Sequence, residues 1–189
     1  DFNAWADTLD MMLGFEADVL APGHSQPVHG AEAIRERLAD YRDAIRFIIE
    51  ETAMRLNRGD TPDEIGATLQ LPAALRVKPW LQEFYGKVGW SAKAYAAGTL
   101  GWFDANPTNL ARLAPADEAR RMIVLAGGAR AVLKAAETSD DPQWAMELAD
   151  RLISVGEMKT QATRIKMDAM RTLADREINA TARNFYLVT

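Results

Sequence analysis

Between Ala31 and Asn57 the apolar positions fall at Ile34, Leu38, Tyr41, Ile45, Ile48, Thr52 and Leu56, in steps of three and four. Such steps keep these positions on one face, as in a helix that lies along another helix. One uninterrupted helix with a single apolar stripe limits the fold, because other helices must line up beside it. Gly59, just past its end, supplies the left-handed residue on which such helices stop.

The rest of the chain punctuates helices. Asn3 is placed to cap a first one, with Trp5, Leu9, Met12 and Leu13 on one face as far as Gly14. Thr61-Pro62-Asp63-Glu64 combines a capping threonine, a proline at the first helical position and a glutamate that reaches back. It opens a short helix to about Gln70, closed by Leu71-Pro72. Pro79 to Gly86 reads as a brief aromatic helix or turn. Lys87 to Phe103 reads as a second long helix, with the small residues Ala94, Ala97 and Gly101 beside Trp90 on a face that another helix can approach. After the loop Asp104–Asn109, Pro115 starts a helix that Gly127-Gly128 ends. Further helices are expected over Ala129–Thr138, from Pro142, and over Lys159–Asn179. These look like hairpins of the tetratricopeptide kind. Asn184 to Val188 reads as a terminal strand or an extended tail. Only Glu16–Ala21, ended by Pro22-Gly23, reads as an internal strand. The fold class is mainly all-α, with a short α/β remnant at the start.

A net charge of -5 and a pI near 5.1 argue against a partner bound through its phosphate backbone. The helix-turn-helix rhythm of TPDEIGATLQLP does not rescue that idea, since its helix carries Asp63 and Glu64 and no Lys or Arg before Arg76. The absence of cysteine removes disulfides, thiolate zinc sites and a thiol nucleophile. No apolar run reaches the ~18 residues needed to span a bilayer. The chain begins at Asp1 and ends at Thr189 directly after an apolar run, so it is expected to be a piece of something longer.

Both histidines fall in Val19-Leu20-Ala21-Pro22-Gly23-His24-Ser25-Gln26-Pro27-Val28-His29-Gly30. An imidazole after a strand and a Pro-Gly turn is well placed to face a cleft, and neutral imidazole is a common zinc ligand. Spacing alone makes no site, because zinc wants about four donors and no second one stands at ligand spacing. A loop histidine bonded to backbone satisfies the same pattern.

That stretch, followed by a helix with Tyr41-Arg42-Asp43-Ala44-Ile45, resembles the closing segment of a metallo-β-lactamase-fold hydrolase. Downstream, Leu100-Gly101-Trp102-Phe103-Asp104-Ala105-Asn106-Pro107-Thr108-Asn109-Leu110 and Arg183-Asn184-Phe185-Tyr186-Leu187 stand in the order and spacing of the alkyl sulfatases. The resemblance covers nearly the whole chain. It implies that residues 1–48 are the tail of a catalytic domain and residues 49–189 a helical dimerisation domain. It further implies that His24 is the last ligand of a two-zinc centre whose other ligands precede Asp1, so this chain alone would be inactive. His29 has no counterpart role.

In such enzymes the metals activate a water against a sulfate ester, and an apolar groove takes the alkyl chain. The expected partners are a second copy of the chain and an alkyl sulfate or related amphiphilic ester, with no nucleic acid and no membrane span. Trp102 matches an aromatic that approaches the pocket. Trp90 stands where the family commonly has the histidine of Ser-His-Asn, this chain having Gly89-Trp90-Ser91. An indole offers one N–H donor and no acceptor. The alternative is therefore a helical interaction module of a related metallo-hydrolase that acts on a non-sulfate ester.

Overall fold

The computed structural model describes residues 1–188; Thr189 lies outside the described residues. Ten α-helices and one two-stranded ladder occur among the described residues. The chain divides into two compact units, Asp1–Asn106 and Pro107–Thr189.

In the first unit, α1 (Phe2–Leu13) is capped by Asp1, whose carboxylate accepts the Asn3 and Ala4 amides at 2.9 and 3.4 Å. The cap expected at Asn3 lies two residues earlier, where a negative charge also suits the helix dipole. Ala6 and Leu9 are buried, while Trp5, expected on the inner face, points outward. β1 (Val19–Leu20) and β2 (Val28–His29) pair antiparallel, Val19 opposite His29 and Leu20 opposite Val28. The expected strand is thus one arm of a hairpin.

The long helix α2 (Ala31–Asn57) has the expected bounds. Its stripe is consumed inside the unit. Ile34, Leu38 and Ile45 pack with Ala6, Leu9 and Val28, while Ala44 and Ile48 pack with Ile65, Leu69, Leu71 and Ala92. Gly59 has φ 97°, and the Gly59 and Asp60 amides return to the carbonyls of Leu56 and Arg55 at 3.0 and 3.1 Å. This closes the helix as a Schellman turn.

The capping box forms at the head of α3 (Pro62–Thr68). The Glu64 amide donates to Thr61 Oγ1 at 3.3 Å, and the Thr61 amide donates to Glu64 Oε2 at 2.8 Å. A single turn, α4 (Ala73–Arg76), and a 3-10 turn at Pro79–Leu81 lead to α5 (Val88–Leu100). This helix stops short of the expected Phe103, because Gly101 takes φ 80°. Within the chain, close approach on α5 occurs on another face, and the expected one stays exposed. Ala92 and Ala96 are buried, whereas Ala94 and Ala97 are exposed. The nearest crossing is with α3 at two glycines: a Cβ on Gly89 would overlap the Gly66 carbonyl, and one on Gly66 would meet Lys93 at 2.7 Å.

The second unit contains α6 (Pro115–Leu125), α7 (Ala129–Glu137), α8 (Pro142–Val155), α9 (Lys159–Arg176) and α10 (Ala180–Val188). Its core joins Ile123, Val132, Leu133, Ala149, Leu152 and Ala162. Gly127 and Gly128, at φ 92° and 102°, separate α6 from α7. Lys166 reaches Asp150 at 2.7 Å between α9 and α8. The strand or tail expected at Asn184–Val188 is instead helical. Asn179 is fully buried and its side chain accepts the Ala182 amide at 2.9 Å, so it starts a new helix instead of ending α9. Arg183 then caps α9 from outside, donating to the Ala174 carbonyl at 2.8 Å.

Gly89→Ala is expected to lower unfolding free energy by about 1–3 kcal/mol in urea titrations, because the obstacle is backbone. Glu64 titrates below the usual carboxylate range, first because of its bond from the Thr61 backbone and next because of the Thr61 hydroxyl. A depressed folded pKa gives stability that is present above the unfolded value and lost as pH falls through the folded one. The melting-temperature gap between wild type and Glu64→Ala should therefore be full at neutral pH and close on acidification below the ordinary carboxylate range.

Candidate functional site

The candidate site is built outward from α2. Pro22-Gly23 ends β1 and throws the chain into a loop over residues 21–27, with His24 exposed on it. The two-rung ladder anchors that loop, helped by the Gly30 amide donating to the Asp18 carbonyl at 2.9 Å. One face of the imidazole stacks on Tyr85, centroids 5.7 Å apart and planes at 27°.

Tyr85 belongs to a segment bolted to α2. The Tyr41 hydroxyl donates to the Trp80 carbonyl at 2.6 Å, and Trp80 Nε1 donates to Asp40 at 3.1 Å. Arg37 lies 4.7 Å from the Trp80 ring centre and Lys78 Nζ 5.3 Å from it, a cation on an aromatic face in each case. Lys78 also reaches Glu36 at 2.7 Å and Asp40 at 3.1 Å, and these two bonds, Glu36 first, raise its pKa. Tyr41, Asp40, Arg37 and Glu36 occupy successive turns of α2, so one stretch of helix grips the whole Pro79–Leu81 turn.

The two tryptophans lie on and after α5. Trp90 is 44% exposed, with Lys87 Nζ 5.4 Å from its ring centre. Trp102, in the loop beyond Gly101, is 78% exposed and leans on Phe103 at 5.6 Å. His24, Trp90 and Trp102 have different ring neighbours. None of them lines the cleft of about 290 Å³ bounded by Met12, Leu13, Phe15, Ile34, Arg35 and Leu38. His29 is exposed on β2.

Among the described residues no three His, Cys, Asp or Glu side chains gather into a group that could hold a metal. The stack on Tyr85 leaves the nitrogen edge of the His24 imidazole open. The imidazole is one donor, and the described residues do not complete a centre around it.

Residues 61–189 match the alkyl sulfatase dimerisation family. The chain belongs to that family. It is 40% identical to a linear primary-alkylsulfatase of a Pseudomonas species over 98% of this chain and 36% of that protein. An alkyl/aryl-sulfatase of Saccharomyces cerevisiae is 34% identical over 100% of this chain and 30% of that protein. The solved stereoselective inverting sec-alkylsulfatase Pisa1 from Pseudomonas superposes with a TM-score of 0.93 at 34% identity, covering 98% of this chain and 30% of that one. The chain thus spans about a third of the length of the relatives it matches. In this alkyl sulfatase dimerisation chain, Trp90, Trp102 and Tyr85 fall within the matched residues and His24 before them. Sequence reasoning located His24 through its Pro-Gly turn but missed Tyr85, whose one signal was an aromatic followed by Gly86 at a turn.

Tyr41→Phe removes the donor to the Trp80 carbonyl and is expected to cost about 0.5–1.5 kcal/mol in chemical denaturation. Trp80 fluorescence should also shift red as the turn loosens.

Proposed function

We propose that this chain is the dimerisation region, with the closing segment of the preceding catalytic part, of a zinc-dependent alkyl-sulfatase-like hydrolase that works as a homodimer. Its family membership carries that reading. A physical feature supports the pairing. The sequence of α5, Val-Gly-Trp-Ser-Ala-Lys-Ala-Tyr-Ala-Ala-Gly-Thr-Leu, is apolar nearly all round, as in helices covered on every side. Yet Trp90, Ala94, Ala97 and Leu100 are exposed in a single chain. The α2 stripe, by contrast, is already covered from within.

The proposed division of function places residues 1–48 with the catalytic part and 49–189 with dimerisation. It rests on resemblance, and α2 runs unbroken across it. His24 would supply one ligand. A bound metal would lower the pKa of a water and offset charge on the ester as it breaks. Trp90 and Trp102 would offer flat apolar surface to an alkyl chain. No helix among the described residues is long and apolar enough to cross a membrane.

The presence of Trp90 favours a second reading, a related hydrolase with a non-sulfate ester. An indole can neither accept a proton nor carry charge toward a sulfate. Restoring the family's histidine with Trp90→His in the longer enzyme should raise sulfate-ester turnover relative to carboxylic-ester turnover; an unchanged ratio counts against a discriminating role for Trp90.

Light scattering should give a mass of twice the 20.9 kDa chain at micromolar concentration. A strict monomer would overturn the dimer. Elemental analysis should find zinc well below one equivalent per chain, and a chelator should leave the melting temperature unchanged. Stoichiometric, tightly held zinc would refute a centre whose other donors lie beyond the described residues.

A further inference from the structure

We propose that Tyr85 is a positioning residue for His24, so that the dimerisation region orients an imidazole belonging to the catalytic part. The inference rests on the reading of His24 as a metal ligand and adds to it a second residue in a named role.

Metal-binding histidines are normally aimed by a partner on the other ring nitrogen. His24 has a different support. Its loop hangs from only two residue pairs, Val19 with His29 and Leu20 with Val28, too short a ladder to fix a ring at its tip. No described residue hydrogen-bonds to its ring nitrogens. Its ring contact is the Tyr85 face, at 5.7 Å and 27°. A stack of this kind constrains the plane of the imidazole and leaves its nitrogen edge free, which is what a ligand needs.

The segment that carries the supporting ring is itself fixed. On one side, Gln82 Nε2 donates to the carbonyls of Arg76 and Lys78, both at 2.9 Å, just after the Trp80 anchor. On the other, the Val88 amide donates to Glu83 Oε1 at 2.7 Å where α5 begins. Tyr85 therefore sits on a short bridge tied at both ends, whereas His24 sits on a loop tied only at its base. The stiffer element orients the softer one. Tyr85 lies inside the matched stretch 61–189 and His24 outside it, so the contact joins two parts with separately proposed tasks.

The first arm of the test needs no metal. In the chain as it stands, the His24 ring protons should show an upfield ring-current displacement in NMR spectra that His29 lacks. Tyr85→Phe should keep that displacement and Tyr85→Leu should abolish it. Tyr85 is 62% exposed, so neither change touches the core, and circular dichroism confirms folding. Identical His24 signals in wild type and Tyr85→Leu would overturn the proposal.

The second arm follows zinc loss to a chelator in the longer enzyme. Tyr85→Leu should release zinc on the order of 10-fold faster, with Tyr85→Phe at the wild-type rate. His24→Ala serves as the reference. Unchanged zinc retention in His24→Ala would sink the ligand reading itself. Loss in His24→Ala with none in Tyr85→Leu would sink the positioning role alone.

Discussion

The first unit depends on α2 burying two different partners along one stripe. Its N-terminal half completes a core with α1 and β2, its C-terminal half one with α3 and α5, and the adjacent residues Ala44 and Ile45 fall one in each core. Neighbouring positions stand about 100° apart around a helix, so Ala44 and Ile45 face partners on different sides of α2. Along its N-terminal half, Glu36, Arg37 and Asp40, with Tyr41 at the edge of the first core, grip the turn at Pro79–Leu81. Placement of Tyr85, and through it of the His24 ring, follows from the same helix.

Much of this was legible in the residues. Bounds of α2, the Thr61 capping box and the stop at Gly59 are local events, set by side chains within a few positions, and each formed as read. The failures share a cause. Asn179 carries the side chain of a cap, but the apolar run Phe185–Val188 suggested a strand, and only burial of the asparagine against its neighbours decides in favour of α10. The alanines of α5 mark a small-residue face, but its glycine decides where α3 can lie. β2 is two residues long and exists only because β1 is opposite. Non-local pairing leaves no periodic trace.

The site divides in the same way. His24 was visible because a Pro-Gly turn announces a loop. The stack with Tyr85 joins residues far apart in sequence, and no motif marks it. Trp90 and Trp102 stand out as aromatics, and within one chain Trp90 stays half-buried while Trp102 is exposed. Fold and family are therefore readable from one chain, while contacts between residues distant in sequence are not.

The glycine crossing of α3 and α5 has a further consequence for any side chain placed at the head of α5. At position 89 the neighbouring atoms are the Gly66 main chain and cannot rotate aside. Trp90 and Ser91 can be exchanged as side chains, but a side chain at 89 demands that α3 slide. Gly89 and Trp90 are thus mechanically linked: the absent side chain sets how deeply α5 seats, and that seating sets where the indole faces.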